Sequence, residues 1–306
     1  MKCIDNFRTI VPVNHDSPIG MNVHSRIMLM GSCFSDNIGT KLTECGLDAR
    51  VNPAGALYNP LSIAGVLRAA MSDKRLSDTM VFEYAGRTRS WLFPTRFSSP
   101  SSDAANELFN NTLAEIRGAL SESDVLIFTF GTAWVYQHIP CEMSAYAGIV
   151  SNCHKVPAAH FTRYRLSVSD IVNTWRPLLH DISCLRGRHT DVIFTVSPIR
   201  HFKDGAHENT LSKSTLQLAV SELADMSEGG MHIDYFPAYE LLMDDLRDYR
   251  FYADDMLHPS PVAVNYIWQH FQDTYFSSAD REQLAASARQ YKRTQHRELL
   301  IDNLHG

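Results

Sequence analysis

The segment GSCFSDNIG, residues 31–39, sets a hydroxyl beside a thiol at Ser32 and Cys33, directly after the apolar run IMLM. A nucleophile of either kind needs a base within reach and a third group that orients the base. The far end of the chain offers that pair. In YADDMLHPS (252–260), Asp255 and His258 have D-x-x-H spacing just ahead of a helix start. In such a turn the two side chains can meet, so that the carboxylate orients the imidazole and stabilises its charged form. Asp254 is an adjacent alternative, and the bland role of the pair is to cap a helix. Both Ser32 and Cys33 stay open as the attacking residue. A helix N-terminus favours a cysteine's thiolate, whereas a serine there serves equally as a cap for backbone N–H groups. The bland role of Cys33 is that of a small buried hydrophobe.

Other polar residues cluster in two places. Asn152, Cys153, His154 and Lys155 fall in SNCHKVP (151–157), and Arg200 and His201 follow the run TVSPI. Each group either satisfies backbone polar atoms in a loop or overhangs a site and binds a polar or anionic substrate. His138, Cys141, Cys153, His154 and His160 have zinc-ligand chemistry. Only His138-x-x-Cys141 has a familiar spacing, and no second close motif completes it. The sequence therefore predicts no metal and no cofactor.

The elements that position these residues come from hydrophobic patterning. RIMLM (26–30), VLIFTF (125–130) and VIFTV (192–196) read as buried strands, with HIDYF (232–236) and ARVNP (49–53) as weaker ones. Phe109, Leu113, Ile116 and Leu120 share one helical face, as do Val264, Ile267, Trp268, Phe271 and Tyr275. The second helix has its own start signal in Ser260-Pro261. Strands alternating with helices predict an α/β sandwich with parallel crossovers. In such sheets ligands gather at the carboxyl ends of the strands. Those ends carry Gly31–Ser35, Asn52–Gly55, Gly131–Trp134, Ser197–His201 and, after one more helical stretch, the Asp255/His258 turn. Residues 132–165 read as a long irregular stretch, a functional loop or an insertion. Residues 279–306 read as a charged helix that docks on the body or serves as an interaction tail.

With 306 residues, 44% hydrophobic and 20% charged, the chain can bury a sizeable core. The reading is one domain over 1–306, with a core from about 25 to 275 and the helical tail at 279–306. A net charge of -6 and no Lys/Arg run longer than two residues argue against a nucleic-acid partner. The N-terminus lacks the apolar stretch of about 7–15 residues that a signal peptide needs. Nothing approaches the ~18 apolar residues of a membrane span. The six cysteines are scattered with no C-x-x-C pair, which predicts reduced thiols and a cytoplasmic location.

Seven blocks in order, GSCFSDNIG, NPAGALYNPLS, FGTAWVY, SNCHKVP, TVSPIRH, NTLSKSTL and LRDYRFYADDMLHPS, resemble the GSCFA family, a bacterial group related to SGNH/GDSL-type hydrolases. The resemblance implies a flavodoxin-like three-layer α/β/α fold with a mostly parallel central sheet. It also implies hydrolysis or transfer of esters, mostly acyl and acetyl groups on lipids or sugars. The SGNH first block, G-D-S-[LI]-[ST], laid without gaps, places Cys33 at the nucleophile and Ser32 at the aspartate. Its last block, D-x-x-H, falls on Asp255 and His258, and its second-block oxyanion glycine on Gly55. The third block, G-x-N, meets Gly131-Thr132-Ala133, so its asparagine is absent; the Thr132 hydroxyl and Asn152 are the replacements on offer. One lost oxyanion donor costs about 2.7–4 kcal/mol in comparable sites.

The function expected is an SGNH-like acyl-transfer enzyme, an esterase or acyltransferase, working through a covalent acyl-enzyme on a small acyl or glycan-type substrate. A cysteine nucleophile tilts this toward transfer through a thioester. The alternative is a catalytically degenerate domain that binds a carbohydrate or small metabolite.

Overall fold

The apolar runs pair into one sheet. A computed structural model describes residues 9–305 other than 14–16, 73, 77, 145–146 and 227–229. In chain order the elements are β1 (Arg26–Gly31), α1 (Cys33–Glu44), β2 (Asp48–Val51), α2 (Pro60–Met71), β3 (Val81–Tyr84), β4 (Arg87–Ser90), α3 (Ser102–Glu122), β5 (Val125–Phe130), β6 (Trp134–His138) and β7 (Phe161–Arg165). They continue with α4 (Val168–Arg186), β8 (Thr190–Val196), α5 (Gly205–Ala224), β9 (Met231–Phe236), the single turn α6 (Ala238–Glu240), α7 (Pro261–Tyr275) and α8 (Ser278–His305). The main sheet has the order β2-β1-β5-β8-β9, every neighbour parallel. That is the flavodoxin-type order, in which the chain leaves β1 first toward one edge and then toward the other.

Alternation along the strands builds the layers. Met28, Met30, Leu126, Phe128, Phe194 and Val196 pack with apolar residues of α2, α3, α4 and α5. Their neighbours Ile27, Leu29, Val125, Ile127 and Ile193 pack on the other side with α1, α7 and α8. A period of two buried on both faces yields the α/β sandwich that the patterning predicts, in the three α/β/α layers that the family resemblance implies. Helix starts follow local chemistry. Ser101 caps α3 by accepting from the Ala104 N–H, and Ser260 caps α7 in the same way with Pro261 in its first turn. The charged tail docks, because Leu284 of α8 is fully buried in the cluster that holds Phe34, Ile38 and Leu42 of α1.

The stretch 132–165 departs from expectation. It contains an antiparallel ribbon, β6 with β7, in register from Trp134↔Arg165 to His138↔Phe161. A second ribbon, β3 with β4, was not expected; it turns through Ala85 and Gly86, both with positive φ. The strands are short and half polar, so they carry little hydrophobic signal. A separate small core of Phe82, Trp91, Val150 and Val156 holds the two ribbons together, with the Phe82 and Trp91 rings stacked at 3.7 Å. The five described cysteines are free thiols; Cys3 lies outside the described residues. No helix among the described residues is long and apolar enough to cross a membrane.

Candidate active site

The end of β1 is held by close backbone contact. A Cβ on Gly31 would stand 2.2 Å from the Thr129 carbonyl oxygen of β5, and its φ of 153° suits glycine. The Gly31 N–H donates to Asn52 Oδ1 at 2.9 Å, and its carbonyl accepts from the Leu57 N–H at 2.8 Å. The chain then turns directly into α1. Ser32 is buried as the N-cap, its Oγ accepting from the Phe34 N–H at 3.3 Å. Cys33 is the first helical residue and is partly exposed, with Sγ 3.3 Å from the Tyr58 hydroxyl. Burial, and then the hydrogen bond to Cys33, push the Tyr58 phenol well above its usual range and keep it protonated.

The D-x-x-H turn closes on itself. Asp255 Oδ1 accepts from the Leu257 and His258 N–H groups, both at 2.9 Å, and Oδ2 lies 2.5 Å from His258 Nδ1. These bonds, the backbone ones first, hold the Asp255 carboxyl down at about 2. Asp255, not Asp254, therefore orients the imidazole. The Arg200 N–H donates to the Leu257 carbonyl at 3.1 Å, which ties this turn to the loop after β8.

A cavity of about 490 Å³ opens at the carboxyl ends of β1, β5 and β8. It lies at the switch point between β1 and β5, where the fold leaves a crevice. Of the residues singled out in the sequence, it brings together Ser32, Cys33, Gly131, Thr132, Asn152, Arg200, His201 and His258. Trp134 and Tyr136, two aromatics read as core or pocket lining, line it as well, and it also exposes Tyr58 and Arg163, which sequence reasoning did not assign. The Arg163 guanidinium is paired with both oxygens of Asp204. The Arg200 guanidinium lies over the Tyr252 ring, 4.5 Å from its centroid.

Several expected roles do not match the geometry. Gly55 does not line the cavity; its N–H donates to the Asn52 carbonyl at 2.7 Å in a positive-φ turn against Pro94. The N–H groups of Gly131 and Thr132 both donate to the Tyr58 carbonyl at 2.8 Å. The Thr132 hydroxyl is shared between Ser212 Oγ and the Trp134 N–H. His154 and Lys155 also lie off the cavity. His154 is buried, its ring nitrogens 2.9 Å from the Ser90 carbonyl and 3.2 Å from Thr95 Oγ1, and burial pulls its pKa down to about 4. Lys155 is an exposed, positive-φ turn residue. Asn152 differs: its Oδ1 accepts from the His154 N–H at 2.7 Å, while Nδ2 has no partner among the described residues.

Two further residues shape the site. Lys213, fully buried, donates from Nζ to the Gly131 carbonyl at 2.7 Å and the Ser197 carbonyl at 2.6 Å, joining the ends of β5 and β8; burial pulls its ammonium down to about 7. Its sequence signal is its place in NTLSKSTL, one of the seven blocks that carry the family resemblance. Cys153 shares the cavity, but burial pushes its thiol up to about 11. The zinc grouping weighed for 138–160 does not form. His138 packs on the Trp91 ring, His154 is held by Ser90, and no metal-holding group arises there among the described residues.

A family model described as the GSCFA family matches residues 26–271. No curated protein matches the sequence. Among solved structures, a carbohydrate esterase family 3 from Talaromyces cellulolyticus is similar at 10% identity, over 81% of this chain and 94% of that one, with a TM-score of 0.38. An acetyl esterase mutant with acetate ion is similar at 10% identity, over 80% and 93%, with a TM-score of 0.37.

Proposed function

The chain belongs to the GSCFA family, and from that premise we propose that it is an acyl-transfer enzyme with Cys33 as nucleophile, His258 as general base and Asp255 as the orienting carboxylate. The observation that carries the reading is that Cys33 and His258 face one cavity while Asp255 holds the far ring nitrogen of His258. With Nδ1 engaged, Nε2 is the nitrogen available to the thiol. Ser32, buried and turned onto the helix end, serves as the cap.

In the first half-reaction the Cys33 proton passes to His258 and the sulfur attacks the acyl carbonyl carbon. The Cys33 backbone N–H, at the first turn of α1 and without a partner among the described residues, and Asn152 Nδ2 are the donors for the oxyanion. The carbon–oxygen bond of the ester then breaks. His258 returns the proton to the departing alcohol, leaving a thioester on Cys33. In the second half-reaction His258 takes a proton from water or another acceptor, which attacks the thioester and frees the thiol. Water makes the protein an esterase; an amine, alcohol or thiol makes it an acyltransferase. A cavity of this size, walled by Trp134, Tyr136 and Tyr58 with Arg200 beside them, suits a small acylated substrate with a polar or sugar-like body.

The engaged N–H groups of Gly131, Thr132 and Gly55 favour the second reading, a binding domain without turnover. Alkylation separates the two. At pH 6–7 iodoacetamide should modify Cys33 far faster than the other cysteines, the rate should fall in His258→Ala, and Cys33→Ala should abolish hydrolysis of an activated acetyl ester. Uniformly slow labelling with no ester cleavage would assign the cavity to binding alone.

A further inference from the structure

At the amino ends of the strands, about 20 Å of strand away from the cavity, three side chains converge on one point. His189 Nε2 lies 2.7 Å from Asp191 Oδ1 and 3.0 Å from His232 Nδ1, and His232 Nδ1 lies 3.2 Å from the same Asp191 oxygen. The convergence is dictated by the sheet. Asp191 and His232 are register partners on the parallel strands β8 and β9, so their side chains leave the same face. His189 precedes Asp191 by two residues, the spacing that returns to one face of an extended chain.

We propose that His189, Asp191 and His232 form a site for a divalent first-row transition ion, distinct from the cavity at the other end of the sheet. Two imidazoles and one carboxylate are the donor set such ions take, with the remaining positions left to water. Metal–ligand bonds of about 2.0–2.1 Å require neighbouring ligand atoms roughly 2.9 Å apart on an octahedral face and 3.3 Å apart in a tetrahedron. Two of the observed separations, 3.0 and 3.2 Å, fall between those values, and the His189–Asp191 separation of 2.7 Å lies just below them. Among the described residues this is the one group of three whose donor atoms gather in this way. The adjacent cations do not occupy it: Arg186 and Arg188 donate to carbonyls at the end of α3 and beyond it. His189 and His232 are partly exposed, so an ion reaches the site from solvent. Once bound, it would pin the edge strand β9 to β8.

The test is equilibrium dialysis of the full chain, stripped with chelator and with its thiols alkylated, against zinc chloride, reading bound zinc per chain and the unfolding temperature. Alkylation removes Cys33 and the other cysteines as competing ligands. The expected result is one zinc per chain, a raised unfolding temperature, and loss of both effects in His232→Ala and in Asp191→Asn. Unfolding of the variants without metal shows whether they fold. Should His232→Ala fail to fold, His189→Gln at the more exposed position replaces it. Absence of bound zinc from the parent chain, or zinc that stays bound in a folded His189/His232 double variant, overturns the proposal.

Discussion

Two histidines show how placement sets chemistry at the scale of single residues. His258 lines the cavity with one nitrogen held by Asp255, whereas His154 is sealed behind Trp91 and Phe82 with both nitrogens engaged. Burial pulls the His154 pKa to about 4, against about 6.5 in the unfolded chain. Between those values the unfolded chain binds the proton and the folded one does not, so stability falls as pH drops through that window and levels off below it. The loss is roughly 2–3 kcal/mol by pH 4.5. Urea unfolding of the parent and of His154→Gln at pH 7 and 4.5 checks this; the variant should start less stable and lose that pH-dependent part. Asp255 behaves in the opposite way. Its carboxyl, held at about 2, stays ionised above that pH, so in the proposed mechanism it imposes no acid limb at ordinary pH.

At the scale of elements, the site is an agreement between strand ends. Gly31 lets β1 meet β5, and Lys213 braces the carbonyls of Gly131 and Ser197 from beneath. Lys213→Met would leave two buried carbonyl oxygens without a donor. The expected destabilisation is roughly 2–5 kcal/mol, read as a lower urea midpoint at constant m. Cavity residues should lose alkylation selectivity before the fold is lost, because the loops after β5 and β8 part first. The strands themselves were legible, since VLIFTF and VIFTV are apolar runs buried on both faces. The ribbons β3–β4 and β6–β7 were not. Segments such as RTRS become strands only because Trp91 and Phe82 supply a core of their own, which no local pattern announces.

At the scale of the whole molecule, both faces of the sheet must be covered, and the C-terminal tail takes part. Leu284 of α8 is fully buried in the layer of α1 and α7, beneath the helix that begins at Cys33. Leu284→Ala should cost about 2–5 kcal/mol in urea unfolding, as large-to-small changes in a core do. A surface tail would show no change.

The five strands of the main sheet, the helices that hold Phe109 to Leu120 and Val264 to Tyr275, the charged C-terminal helix, the Ser32–Cys33 pair after the first strand and the Asp255/His258 turn were readable from the sequence alone. They rest on periodicity, caps and spacing, which are local properties. The tertiary structure decided which side chains face the cavity. It set Ser32 in the cavity wall as a buried cap, left Cys33 partly exposed beside it, and turned Gly55, His154 and Lys155 away. It also brought in Tyr58 and Lys213, and committed the N–H groups of Gly131 and Thr132 to Tyr58. Those outcomes depend on contacts between segments tens to hundreds of residues apart, where close packing and the pairing of buried polar groups leave each side chain one direction to take.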